Sequence, residues 1–184
     1  MDVVQEAPET VVLAEDEALL YLQATTTRVW AAQGQTPRVE VHPGREKVGF
    51  YGTLNLHTGE QYLMRTAKMN AATSARHLEQ LLAAVPDVPV LLLWDRAPWH
   101  RGLPIRQLLA DHPRLQLHYL PTAAPDLNPQ EHVWKAARAA VSHNHLVPSL
   151  TQLANRFEHH LRSHTFPSSF LRRYGFSDLC PIFN

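Results

Sequence analysis

The chain predicts an α/β fold around one sheet of mixed strand direction. Three observations carry this expectation. Residues 11–22 alternate as a strand, and residues 48–56 join residues 61–64 through a Thr58-Gly59 turn as a hairpin. Residues 70–85 switch to a helical period. Residues 88–94 form a short, continuously apolar run, the kind buried on both faces of a sheet. Antiparallel strands first, then strands joined through helices, give a sheet with three antiparallel strands followed by parallel ones, flanked by helices.

Each element has a local cause. Period-two parity in residues 11–22 puts Asp16 on a face with Val12, Ala14, Ala18 and Leu20, and turns Glu15 and Glu17 the other way. Ala71, Ala75, Leu78, Leu81, Leu82 and Val85 make one apolar stripe, which Pro86 ends. Gly102-Leu103-Pro104 opens a short helix through Leu109, stopped by His112-Pro113, and residues 115–120 read as another strand. A helix runs from Asn128 to about Val141, and a last one spans residues 149–164, with Ser149 and Gln152 at capping-box spacing. The expected organisation is an extension over residues 1–10, one domain over 11–165 and a tail over 166–184, without internal repeats.

Composition narrows the function classes. A chain of 184 residues buries a full core without staples, and its one cysteine, Cys180, excludes an internal disulfide. No apolar run approaches a membrane span and the first residues lack a signal-peptide pattern, so a cytoplasmic location is expected. Lysine plus arginine equals aspartate plus glutamate at 17 each, whereas a free-standing DNA-binding domain is strongly basic. Any DNA affinity is therefore expected to come mainly from another module. There is no Cys/His zinc pattern and no phosphate-binding glycine loop. Ser142-His143-Asn144-His145 has the letters of an HNH nuclease without its context, and His159-His160 reads as a solvated helix pair.

Three carboxylates remain. Asp95 closes the apolar run Leu91-Leu92-Leu93-Trp94, where an acid is costly unless it is paired or binds a cation. The alternative is a loop acid capping a nearby amide. Glu131 falls three residues after Asn128, with Pro129 at the first helical position, so a capping box explains it without chemistry. Asp16 could be a solvated strand acid. Jointly, hard oxygen ligands arriving from separate elements suit phosphodiester cleavage by paired magnesium ions. His100, five residues past Asp95, is read either as a neighbour of those ions or as a cap of the next helix.

Trp94-Asp95-Arg96-Ala97-Pro98-Trp99-His100-Arg101, followed by Tyr119-Leu120-Pro121-Thr122-Ala123-Ala124-Pro125-Asp126-Leu127-Asn128-Pro129-Gln130-Glu131-His132-Val133-Trp134-Lys135, resembles the catalytic core of insertion-sequence 630 transposases, within the mariner-like DDE group. Glu15-Asp16-Glu17 looks like the first acidic motif, and Arg28 to Pro37 resembles the segment after it. The resemblance implies a ribonuclease-H-like fold and a triad of Asp16, Asp95 and Glu131 holding two Mg2+ or Mn2+ ions. It further implies cleavage at transposon ends, attack of the freed 3′-hydroxyl on target DNA, double-stranded DNA as partner and a homodimer in the active complex.

Two departures stand out. Arg96 occupies the place where the family usually has asparagine, and the helix-turn-helix that normally precedes the core is expected to be missing, since the chain begins almost at the first acidic motif. An inactive or regulatory remnant that pairs with full-length transposase is the competing expectation. A different ribonuclease-H-like nuclease is a third, because fold does not fix function.

Overall fold

A computed structural model describes residues 9–85, 87–122 and 124–166. Within these residues, five strands form one sheet in the order β3-β2-β1-β4-β5: β1 (Val11–Tyr21), β2 (Lys47–Asn55), β3 (Gln61–Thr66), β4 (Val90–Trp94) and β5 (Leu115–Tyr119). β1 pairs antiparallel with β2, and β2 with β3, while β1–β4 and β4–β5 are parallel. The mixed sheet is thus the one expected. Gly59 takes a φ of 74° in the β2–β3 turn, a left-handed conformation that glycine adopts without steric cost.

Among the described residues, four α-helices cover the sheet: α1 (Ala71–Ala84), α2 (Leu103–Asp111), α3 (Pro129–Ala137) and α4 (Leu150–Ser163). Asn70 caps α1 in a full capping box with Thr73. The Pro86 stop lies outside the described residues, but Val85 already has extended backbone. The helix expected through residue 141 instead breaks after Ala137 into a π-helical turn, Arg138–Ser142. No breaker residue marks that change. Strand β4 begins at Val90, two residues later than expected.

Strand parity divides the core in two. Val12, Ala14, Ala18 and Leu20 face a cluster built with Val133, Trp134 and Ala137 of α3 and Leu153, Phe157 and Leu161 of α4. Leu13 and Leu92 face the other layer, against Leu78, Leu81 and Leu82 of α1 and Ile105 and Leu108 of α2. Each fully buried aliphatic or aromatic side chain contributes about 1.5–3 kcal/mol, so both layers clamp the sheet. β1 and β4 are therefore interior strands with helices on both faces, which fixes the loop at the end of β4 in place. Among the described residues, no helix is long and apolar enough to cross a membrane.

Candidate active site

The parallel register of β1 and β4 runs from Val11 opposite Val90 to Ala14 opposite Leu93. Two further steps along both chains bring Asp16 level with Asp95, which follows the last residue of β4. Glu131 comes from the first turn of α3. Asn128 positions that turn with both ends of its amide: Oδ1 accepts the Gln130 N–H at 3.1 Å, and Nδ2 donates to the Glu15 carbonyl at 2.9 Å. The helix start is thereby tied to β1 beside Asp16. The expected capping box is only half formed, because Glu131 does not return a bond to the cap backbone.

Trp134, one turn further along α3, donates its indole N–H to Asp16 Oδ2 at 3.1 Å. Gly52 lies opposite Asp16 on β2. A Cβ at Gly52 would stand 2.4 Å from the Trp134 ring and 2.6 Å from Gln130 Nε2, so only glycine allows α3 this close to the sheet. Asp16, Asp95 and Glu131 consequently line one cavity of about 260 Å³, with Asn128 and Arg96 at its wall. Arg96 also holds its guanidinium 5.2 Å from the Tyr119 ring centre, a cation–π contact.

The electrostatics of the cavity favour a cation. Asp16 is 8% exposed. Burial pushes its pKa up to about 8, and the Glu131 and Glu17 carboxylates push in the same direction. Hydrogen bonding from His100 holds the Asp95 carboxyl below the usual range, against partial burial, with the Ala97 N–H assisting. These three carboxylates offer only hard oxygens, the donor set for Mg2+ or Mn2+.

A second acidic group sits on the opposite face of β1. Glu15 is 1% exposed, and its Oε2 accepts the Trp94 indole N–H. Glu17 Oε1 accepts the Trp99 indole N–H at 2.7 Å and faces His100 Nε2 at 2.8 Å. One ligand atom each from Glu15, Glu17 and His100 lies within 4.8 Å of the others, so by spacing alone this set could also hold a metal. Its chemistry differs from that of the cavity: indole N–H groups already point at one oxygen of each carboxylate, and donors so placed repel a cation there, while Glu15 Oε1 is buried without a hydrogen-bond partner. Burial, then Glu17 and Asp16, hold the Glu15 carboxyl well above its ordinary range. Burial opposes the charge of His100, but bonds to Asp95 and Glu17 outweigh it and raise the ring to about 9. Strand parity alone turns Glu15 and Glu17 to the far face and gives them no role. Their partners are the only signal for one: Trp94 is buried and Trp99 half-buried, and their ring N–H groups need acceptors away from water.

The comparisons agree with this architecture. A family model described as DDE superfamily endonuclease matches residues 11–154. An insertion element IS630 uncharacterized 39 kDa protein of Shigella sonnei is 27% identical over 154 residues, covering 83% of this chain and 45% of that protein. A Mos1 transposase paired-end complex with the left transposon end superposes with a TM-score of 0.65 at 18% identity, over 90% of this chain and 51% of that one. The Mos1 mariner paired end complex with Mn gives 0.65 at 17% identity, over 90% and 52%. At such identities the likeness shows the fold, which is ribonuclease-H-like. The chain spans about half the length of these relatives.

Proposed function

The chain belongs to the DDE superfamily endonucleases, and from that membership we propose that it is the catalytic domain of an insertion-sequence 630 or mariner-like transposase. Its substrate is double-stranded DNA at transposon ends, and it joins the freed 3′ end to target DNA, with a second copy in the active complex. The domain is assigned to residues 11–165, with residues 1–10 and 166–184 outside it. The observation that carries the reading is the arrival of Asp16, Asp95 and Glu131 from three separate elements at one cavity.

These residues fit a pair of Mg2+ or Mn2+ ions. The donor set is all carboxylate, and the crowding of Asp16 by Glu131 is the like-charge repulsion that a divalent cation relieves. When bound, such a pair activates the attacking oxygen and stabilises the leaving one. Asp16 and Asp95 supply ligands from adjacent strands, and Glu131 supplies one from a capped helix start. Trp134 holds one oxygen of Asp16, and His100 with the Ala97 N–H holds Oδ1 of Asp95. Arg96, at the cavity wall, offers a cation to a DNA phosphate. Preorganised ligands spare the reaction the cost of collecting them.

The test is nicking of supercoiled plasmid in Mn2+ at low salt, where non-specific DNA binding is strongest. The parent is expected to nick, and Asp95→Asn and Glu131→Gln to lose more than about 100-fold of the rate, since each removed ligand forfeits several kcal/mol of charge stabilisation. Equal nicking by parent and Asp95→Asn would refute the site.

A further inference from the structure

We propose that His100 is a positioning residue that presents Asp95 to the cation pair through one particular oxygen, and that Glu17 locks it there. This rests on the metal reading above and goes beyond it by assigning work to residues on the far face of β1.

The geometry is a continuous chain of side chains. His100 Nδ1 meets Asp95 Oδ1 at 2.7 Å, and the Ala97 N–H donates to the same oxygen at 2.8 Å. Two donors thus occupy Oδ1, and Oδ2 is the oxygen left over for a metal. Asp95 is held as a one-oxygen ligand with its χ angles set from behind. The ring of His100 is in turn fixed on every side. Nε2 faces Glu17 Oε1 at 2.8 Å. One face stacks on Trp94 at 4.0 Å between centroids, and the Trp99 ring approaches edge-on at 6.2 Å. Trp99 donates to the same Glu17 oxygen that His100 uses, so Glu17 is itself immobilised. His100 is 2% exposed, although the side chain of Asp95 is 45% exposed. A buried, doubly bonded imidazole behind a half-exposed carboxylate is the outer-shell arrangement that orients metal ligands. The 3₁₀ turn Pro98–His100 exists to return the chain to this position, since His100 N bonds back to Ala97 O.

The two ring nitrogens can be separated by substitution. Asparagine places an amide N–H close to the position of Nδ1, and glutamine places one close to Nε2. Mn2+ binding to the full chain is followed by titration calorimetry for the parent, His100→Asn and His100→Gln, with thermal melting of each to register folding. His100→Gln, which loses the donor to Asp95, is expected to weaken Mn2+ binding by ~10–100-fold. His100→Asn, which keeps that donor, should stay within about threefold of the parent on the same grounds. A purely structural role predicts the opposite of this split or none, because both variants lose packing against Trp94. Parent-like Mn2+ affinity in His100→Gln, or equal losses in the two variants, would overturn the proposal while leaving the metal site intact. Absence of Mn2+ binding by the parent itself would remove the metal reading and this proposal together. Should His100→Gln not fold, the parent's imidazole nitrogen resonances decide. A bonded Nδ1–H that shifts on adding Mg2+ supports the proposal, and one indifferent to Mg2+ overturns it.

Discussion

Replacing Asp16 by asparagine should stabilise the metal-free protein, and more so as pH rises. The folded-state pKa of Asp16 is raised from 3.8 to about 8, by burial first and then by Glu131 and Glu17. Between those values the folded chain binds a proton that the unfolded chain has released. Stability therefore falls with rising pH across the window from about 4 to about 8. At about 1.4 kcal/mol per pKa unit, the ceiling on this loss is roughly 4 kcal/mol at pH 7. Water penetration and local relaxation reduce the cost of a buried charge, so about 2 kcal/mol is the working expectation. Asparagine keeps the oxygen that accepts the Trp134 N–H and removes the charge. The assay is urea unfolding in EDTA at pH 5 and pH 8 for both chains. The parent should lose on the order of 2–4 kcal/mol more than the variant across that interval. Glu15, raised first by burial, and His100, raised to about 9 by Asp95 and Glu17 against burial, give slopes of the same sign in both chains, so the difference reports Asp16 together with the smaller part of the Glu15 shift that the Asp16 charge causes. Parallel pH dependences in the two chains would refute the reasoning.

Three further outcomes follow from the same contacts. Gly52→Ala forces a methyl against the Trp134 ring and Gln130; a loss of about 1–3 kcal/mol or more is expected in urea unfolding. Asn128→Ala removes the cap of α3 and its tie to the Glu15 carbonyl; the cap alone is worth ~1 kcal/mol, and plasmid nicking should fall with it because Glu131 loses its fixed base. Mg2+ at about 100 times its dissociation constant should stabilise the parent by roughly 2.7 kcal/mol, an increment that melting curves of Asp95→Asn should lack.

Much of the acidic lining of the cavity was legible because strands impose parity. Alternation alone separated Asp16 from Glu15 and Glu17, and the apolar run ending at Trp94 located Asp95 at the carboxyl end of an interior strand. The helix start at Asn128-Pro129 located Glu131, but spacing could not tell a capping residue from a ligand. In the structure Glu131 makes no return bond to the cap and lines the cavity with Asp16 and Asp95. What the sequence hid was mostly long-range and polar. The Trp94–Glu15 and Trp99–Glu17 bonds join residues 79 and 82 apart, and no local pattern announces them. The π turn after Ala137 was equally hidden, since it follows from how α3 and α4 meet and not from any breaker in Arg138–Ser142.

The central place of β1 has a consequence for the chain during its own synthesis. The hairpin β2–β3 and its pairing with β1 need only the first 66 residues. The β1–β4 pairing that sets Asp16 beside Asp95 waits for a crossover through α1, and Glu131 waits longer still. The surface on which α3 lies is completed by α4, whose last residue is Ser163. A partly emerged chain thus holds one acid, then two, and acquires the third only when nearly the whole domain has been made. On the proposed function, an incomplete or misfolded copy would carry the acids without the cleft that gathers them.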